Sequence, residues 1–212
     1  MPDFKNQFDI RLLKTFNKNN DFKKLTSLYF LNGVKGGIEW PLMGIILLNL
    51  IGGNLQNWGY LNSLSAFIGI VMGFVYSKFF SNRNDKALLY LSSILYSVFG
   101  MFLLVNFDLL NFAIFLIGTT ITSNLIGPSF SKLANDVFVE VSSDDSNSSE
   151  FYFFTEIPLM FGRIVSLGSL FALNINLESK MVLGIIFFGL SFLPLLSTYI
   201  IQKTSAFKVN IQ

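Results

Sequence analysis

The sequence predicts an all-α membrane protein, a bundle of six transmembrane helices preceded by an amphipathic helix at the membrane surface. Three observations carry that prediction. Of 212 residues, 52% are hydrophobic and 13% charged, too apolar and too sparsely charged for a soluble domain of this size. Six segments, at about 25–51, 58–80, 87–105, 109–132, 151–173 and 180–202, are dominated by apolar residues. Each reaches the roughly 20 residues that cross a hydrocarbon core, the third with least to spare. None alternates polar with apolar as barrel strands do, so helices, whose backbone groups pair internally, are the spanning form.

Residues 1–24 form a basic head with Lys5, Arg11, Lys14, Lys18, Lys23 and Lys24. Phe4, Phe8, Leu12 and Phe16 recur at four-residue spacing and so share one helical face. Such a helix lies on a bilayer with its charges toward anionic head groups. An ordinary cytoplasmic lead-in explains it more simply than a specific lipid site. It is not a signal peptide, because no continuous apolar core with a small-residue cleavage site follows Lys5. Asn19, Asn20 and Asp21 break the helix before span one. The connections are short except for 133–150, where Ser142 to Glu150 are polar and acidic, and 203–212 form a tail.

Orientation follows from the loop cations. With the N-terminus inside, the cytoplasmic side receives the six of the head, then Lys78, Arg83, Lys86, Lys132, Lys203 and Lys208. The opposite side receives Lys180 alone, so both termini are expected in the cytoplasm. Compact loops and the lack of targeting signals fit a multi-pass protein of a prokaryotic plasma membrane, the cell inner membrane.

Composition also excludes functions. A net charge of +2, with no basic face, argues against nucleic acid. With no Cys, disulfides and thiolate metal sites are excluded. With no His, the commonest general base and metal ligand is absent. No metal, no cofactor and no enzymatic activity are expected. An intramembrane enzyme would have to rely on Glu39 or Glu156, and no paired-acid motif, Gly-x-Ser-x-Gly elbow or phosphate-binding glycine loop accompanies them.

Lys35, Glu39, Glu156 and Arg163 are the ionisable residues placed deep inside the spans. A charge at that depth costs roughly 2.5 kcal/mol or more, so it faces the bundle interior and a partner. Lys35 and Glu39 sit four apart, on one face of span one. Gly33, Gly36, Gly37 and Pro41 weaken the helix at the same depth, and an interrupted helix near the midplane points to a transporter site. A self-neutralised pair that merely joins helices is the plainer reading, but intramembrane charges are functional by default. Trp40, beside them, is a candidate for contacting an apolar part of a solute, although lipid packing explains most aromatics here.

Span four carries Thr119, Thr120, Thr122, Ser123 and Asn124, then Gly127 and Pro128. Small hydroxyl residues chiefly pack helices, which leaves Asn124 as the best candidate among them. In span five, Glu156 and Arg163 are seven apart on a similar face. Arg163 stays charged and needs a carboxylate or an anionic ligand. Glu39 is the preferred partner, or Glu156 through water. Spans three and six carry no charge and are expected to be the most lipid-exposed.

This ordering resembles one six-helix half, most like the C-terminal half, of a major facilitator superfamily transporter. The resemblance covers essentially the whole chain. It implies a bundle built as 3+3 inverted repeats, with the first and fourth helices lining a cavity, the second and fifth joining the halves, and the third and sixth facing lipid. The family's Gly-x-x-x-Asp-Arg-x-Gly-Arg-Lys loop after helix two has a degraded echo, with Gly73 at the first glycine and Lys78 at the first basic position. Ser77 replaces the acid, and Arg83 and Lys86 fall late. The run Phe154-Thr155-Glu156-Ile157 leading to Gly162-Arg163 resembles the Glu-to-Gly-Arg helix of some bacterial members.

The resemblance implies secondary active transport of a small solute, as symport or antiport, by alternating access. A second six-helix half is then needed, whether a missing N-terminal half, another copy of the chain or a split partner. Withdrawing a carboxylate from water favours its protonated form, so Glu39, or with less weight Glu156, is the candidate for proton coupling. Lys35 and Arg163 would hold an anionic group or neutralise the empty carboxylate. The competing reading is a non-transporting scaffold or assembly subunit whose intramembrane ion pairs are structural.

Overall fold

A computed structural model describes residues 16–50, 54–79, 85–141, 148–172 and 179–204. Most of the head, Arg83, the middle of the acidic loop and the end of the tail lie outside the described residues. Every regular element among those described is helical: α1 (Asn20–Leu50), α2 (Leu55–Phe79), α3 (Asp85–Val105), α4 (Leu109–Val141) and α5 (Ser148–Ala172). The sixth segment is two helices, α6 (Lys180–Ser191) and α7 (Leu193–Ile201). Five segments are long and apolar enough to cross a bilayer: those within α2, α3, α4 and α5, and α6–α7 taken together. The protein is therefore a multi-pass membrane protein.

The helix boundaries have local causes. Asn19 caps α1, its Oδ1 accepting from the backbone N–H of Asp21 at 2.7 Å and of Phe22 at 3.0 Å. The Asn-Asn-Asp run is thus a start signal at the helix mouth. α1 then continues for 31 residues through Gly33, Gly36, Gly37 and Pro41 without interruption. α4 extends past the apolar run to Val141 because Leu133, Ala134 and Val137 are still buried in the bundle. The sixth span breaks at Phe192 because Pro194 has no N–H for the helical ladder. The Phe192 N–H instead donates to Gly189 O at 3.2 Å, a tighter turn.

Two apolar clusters fill the bundle. At the end carrying Asn19 and Thr204, Phe16 lies 5.3 Å from Phe22, 6.1 Å from Phe151 and 6.0 Å from Phe154, ring centre to ring centre. Phe16, expected on a membrane-surface face, is buried in this plug. Lys24 fastens the same end, donating to Asp21 at 2.8 Å and to Lys203 O at 2.5 Å. The second cluster gathers Phe112, Phe115, Phe187 and Leu103 toward the opposite end.

Burial is distributed unlike the sequence expectation. None of the membrane window of α2 is buried within the chain and 22% of that of α5, against 39% for α3 and 44% for α6–α7. The uncharged third and sixth segments are the more interior ones because their small and hydroxyl residues fit together. Ser93 and Thr198 share a 2.6 Å hydrogen bond, and Ser97 donates to Ser191 O at 2.8 Å. A Cβ on Gly184 would meet Leu103 O at 2.6 Å, so the α3 and α6 backbones are in direct contact.

Candidate functional site

α1 uses two opposite faces for two purposes. Gly33 and Gly37 lie on one, against Leu159, Arg163 and Ser166 of α5, while Gly162 of α5 lies against Phe30 and Val34 of α1. A Cβ on Gly37 would come within 2.8 Å of Arg163 Cα, so only glycine permits this approach. Lys35 and Glu39 are each two residues past a glycine of that pair, about 200° further round the helix. The same spacing that brings α5 to the backbone therefore turns both charges away from it.

On that second face, Lys35 Nζ lies 3.5 Å from Glu39 Oε2. The Tyr96 hydroxyl of α3 donates to Glu39 Oε1 at 2.5 Å, and Lys35 Nζ sits 4.0 Å from the Tyr96 ring centre. One tyrosine thus binds the carboxylate with its hydroxyl and the ammonium with its π face. Glu39 is nearly enclosed, its side chain 8% exposed, whereas that of Lys35 is 19% exposed. The cation is the more accessible member of the pair.

The cluster forms one wall of a cavity of about 500 Å³ between α1, α2, α3 and α4. Trp40 and Met43 of α1 and Trp58 and Asn62 of α2 continue it toward the end of the bundle opposite the Phe16 plug. Thr119, Thr120, Ser123 and Asn124 of α4 line the facing wall. Thr119 and Thr120 donate to Leu116 O at 3.0 and 2.8 Å, and Asn124 Nδ2 donates to Thr120 O at 2.8 Å. The two threonines have used their donors on their own helix and present acceptor lone pairs to the cavity, whereas Asn124 keeps a second N–H. Thr122 is buried in packing instead.

No protein-family model, curated protein or solved structure matches this chain. The site is therefore read from its own chemistry. Lys35, Glu39, Trp40 and Asn124, predicted from four separate positions, are brought to one cavity. Glu156 and Arg163 are not among them: both are exposed on α5, and Glu39 is engaged by Lys35 and Tyr96. Gly73 and Lys78 lie on the exposed far part of α2, where Lys78 Nζ is 5.9 Å from the Phe74 ring centre. Arg83 and the side chain of Lys86 fall outside the described residues. No group of three metal-ligating side chains gathers among the described residues.

Tyr96, Trp58 and Asn62 were not predicted. Tyr96 did leave a signal, because Ser92, Ser93, Tyr96 and Ser97 repeat at four-residue intervals and make one polar stripe in a span without charges. All four are buried. Trp58 and Asn62 lie at the start of α2 and gave no comparable pattern.

Proposed function

We propose that the protein is one six-helix half of a major-facilitator-type transporter, moving a small solute by alternating access. The observation that carries this reading is the enclosed Lys35–Glu39–Tyr96 cluster on the wall of a cavity of about 500 Å³. That volume is in the range of small-molecule sites, and intramembrane charges facing a cavity are the usual mark of a solute or proton path. In this reading Glu39 is the coupling carboxylate, and a proton on it would end its charge attraction to Lys35.

The helix neighbours support the 3+3 arrangement. α1 packs on α5 and on α7, α4 packs on α2 and on α3, and α3 packs on α6 and α7. Exchanging α1 with α4, α2 with α5, and α3 with α6–α7 maps these relations onto themselves, as an inverted repeat requires. The exposed segments support a second half. α2 and α5 bury least within the chain, and Arg163 stands exposed in the middle third of α5. A lipid-facing arginine at that depth is costly, and a second six-helix body against α2 and α5 would cover it. With both termini in the cytoplasm, as the Lys/Arg distribution favours, the cavity would open away from the cytoplasm.

Reconstituted vesicles loaded with a mixture of amino acids, sugars and organic acids test the reading. The chain, together with any subunit that co-purifies, is expected to release at least one solute faster than protein-free vesicles do. Glu39→Gln is expected to abolish the dependence of that release on a pH gradient. Release no faster than from the protein-free vesicles, for every solute, would favour a scaffold.

A further inference from the structure

Resting on that reading of the cavity, we infer that its solute is a carboxylate monoanion with an apolar, ring-sized body. The two members of the ion pair are unequally exposed. Glu39 has one oxygen on Tyr96 and the other on Lys35, and it is the less exposed partner. A group entering the cavity therefore reaches the ammonium of Lys35 more readily than the carboxylate of Glu39. Lys35 is different: an ammonium has three donors, and the 3.5 Å contact with Glu39 is long beside the roughly 2.7–2.9 Å of a charge-assisted hydrogen bond. It has donors to give, and a solute carboxylate is the group that takes them.

Trp40 is 78% exposed beside Lys35. Trp58 and Met43 extend the apolar surface toward the mouth of the cavity. A solute with its carboxylate on Lys35 would lay its body along these side chains, as aromatic faces favour flat partners. On the α4 wall the Thr119 and Thr120 donors are already used, and Asn124 offers a remaining N–H that carries no charge. Lys35 is the one cationic side chain among the lining residues, so one carboxylate suits the site better than two.

The test uses a property of the sequence. Trp40 and Trp58 are the two tryptophans of the chain, and both line the cavity, so tryptophan emission responds to a solute bound there. The full chain reconstituted in lipid vesicles would be titrated with 3-phenylpropionate, 3-phenylpropanamide, 3-phenylpropylamine and phenylalanine, which share one ring body and differ in charge. Saturable quenching by 3-phenylpropionate is expected, with the other three at least about tenfold weaker. Lys35→Met should weaken the carboxylate about tenfold or more, and Lys35→Arg should retain most of the affinity. Equal or tighter binding of the amine, the amide or phenylalanine would overturn the anion assignment and leave the cavity a solute site. Silence toward all four would overturn the assignment and count against the solute-site reading as well. The wild-type comparison decides between these outcomes even if the Lys35 variants fail to fold.

Discussion

The α1–α5 seam is closed at the level of the backbone, whereas the α2–α4 seam leaves room for a cavity. In the first, Gly33, Gly37 and Gly162 have no space for a Cβ. In the second, a Cβ on Gly69 would meet Asn124 Nδ2 at 3.4 Å and Thr120 Cγ2 at 3.7 Å, nearly ordinary contact. The two seams correspond under the exchange of α1 with α4 and α5 with α2, yet only one is sealed. The difference teaches that glycines in a membrane helix have two separate uses. Those of α1 admit a neighbouring helix, and their positions fix where the charges on the opposite face point.

That comparison can be broken by substitution. The largest effect is expected from Gly162→Leu, which drives a side chain into Phe30 O and Val34 N of α1. It should cost at least about 3 kcal/mol in an unfolding titration, or prevent accumulation of folded protein. Next comes Lys35→Met, which leaves the enclosed Glu39 with Tyr96 as its remaining partner in this cluster. Because Lys35 is part-exposed and its contact long, the loss should be about 2 kcal/mol, below that of a fully buried pair, and Glu39→Gln in the same chain should restore a large part of it. A double-mutant cycle over the two positions gives the coupling directly.

Effects of that size or smaller sharpen the contrast. Tyr96→Phe removes a 2.5 Å hydrogen bond to a carboxylate and should destabilise by about 2 kcal/mol in the same titration. Ser93→Ala breaks the 2.6 Å link to Thr198 and should cost about 0.6 kcal/mol, the usual worth of an interhelical hydrogen bond in a membrane. Gly69→Ala, on the open seam, should change stability by less than about 0.5 kcal/mol. A penalty there matching that of Gly162→Leu would erase the distinction between the seams.

Much of this was legible in the sequence, and the limits have physical causes. Five of the six apolar runs, all but span one, became helices long and apolar enough to cross a bilayer, because length and hydropathy are local properties. The four-residue spacing put Lys35 and Glu39 on one face because helix geometry is local too. The direction of that face was not legible, since it depends on which helix takes the glycine stripe two residues away. Arg163 was therefore matched to Glu39 on depth alone, while the structure sets its backbone against Gly37, on the far side of α1. Span three looked peripheral when judged by charge, although its Ser-Ser-Tyr-Ser stripe already called for hydroxyl partners in the interior. The break at Phe192 follows from Pro194, a signal present in the sequence but hidden by an otherwise unbroken apolar run.

The central claim is that water reaches the α1–α4 wall from the end opposite the Phe16 plug. The chain contains no cysteine, so single-cysteine variants can be read without background. A membrane-impermeant maleimide, which reacts only with a hydrated thiolate, would be applied from the outside to cells carrying Ser123→Cys or Ile70→Cys. Ser123 lines the cavity, whereas Ile70 is 73% exposed on α2 and absent from the lining. The account predicts rapid labelling at position 123 and little at position 70. Equal protection at both positions, in protein that still folds, would contradict it.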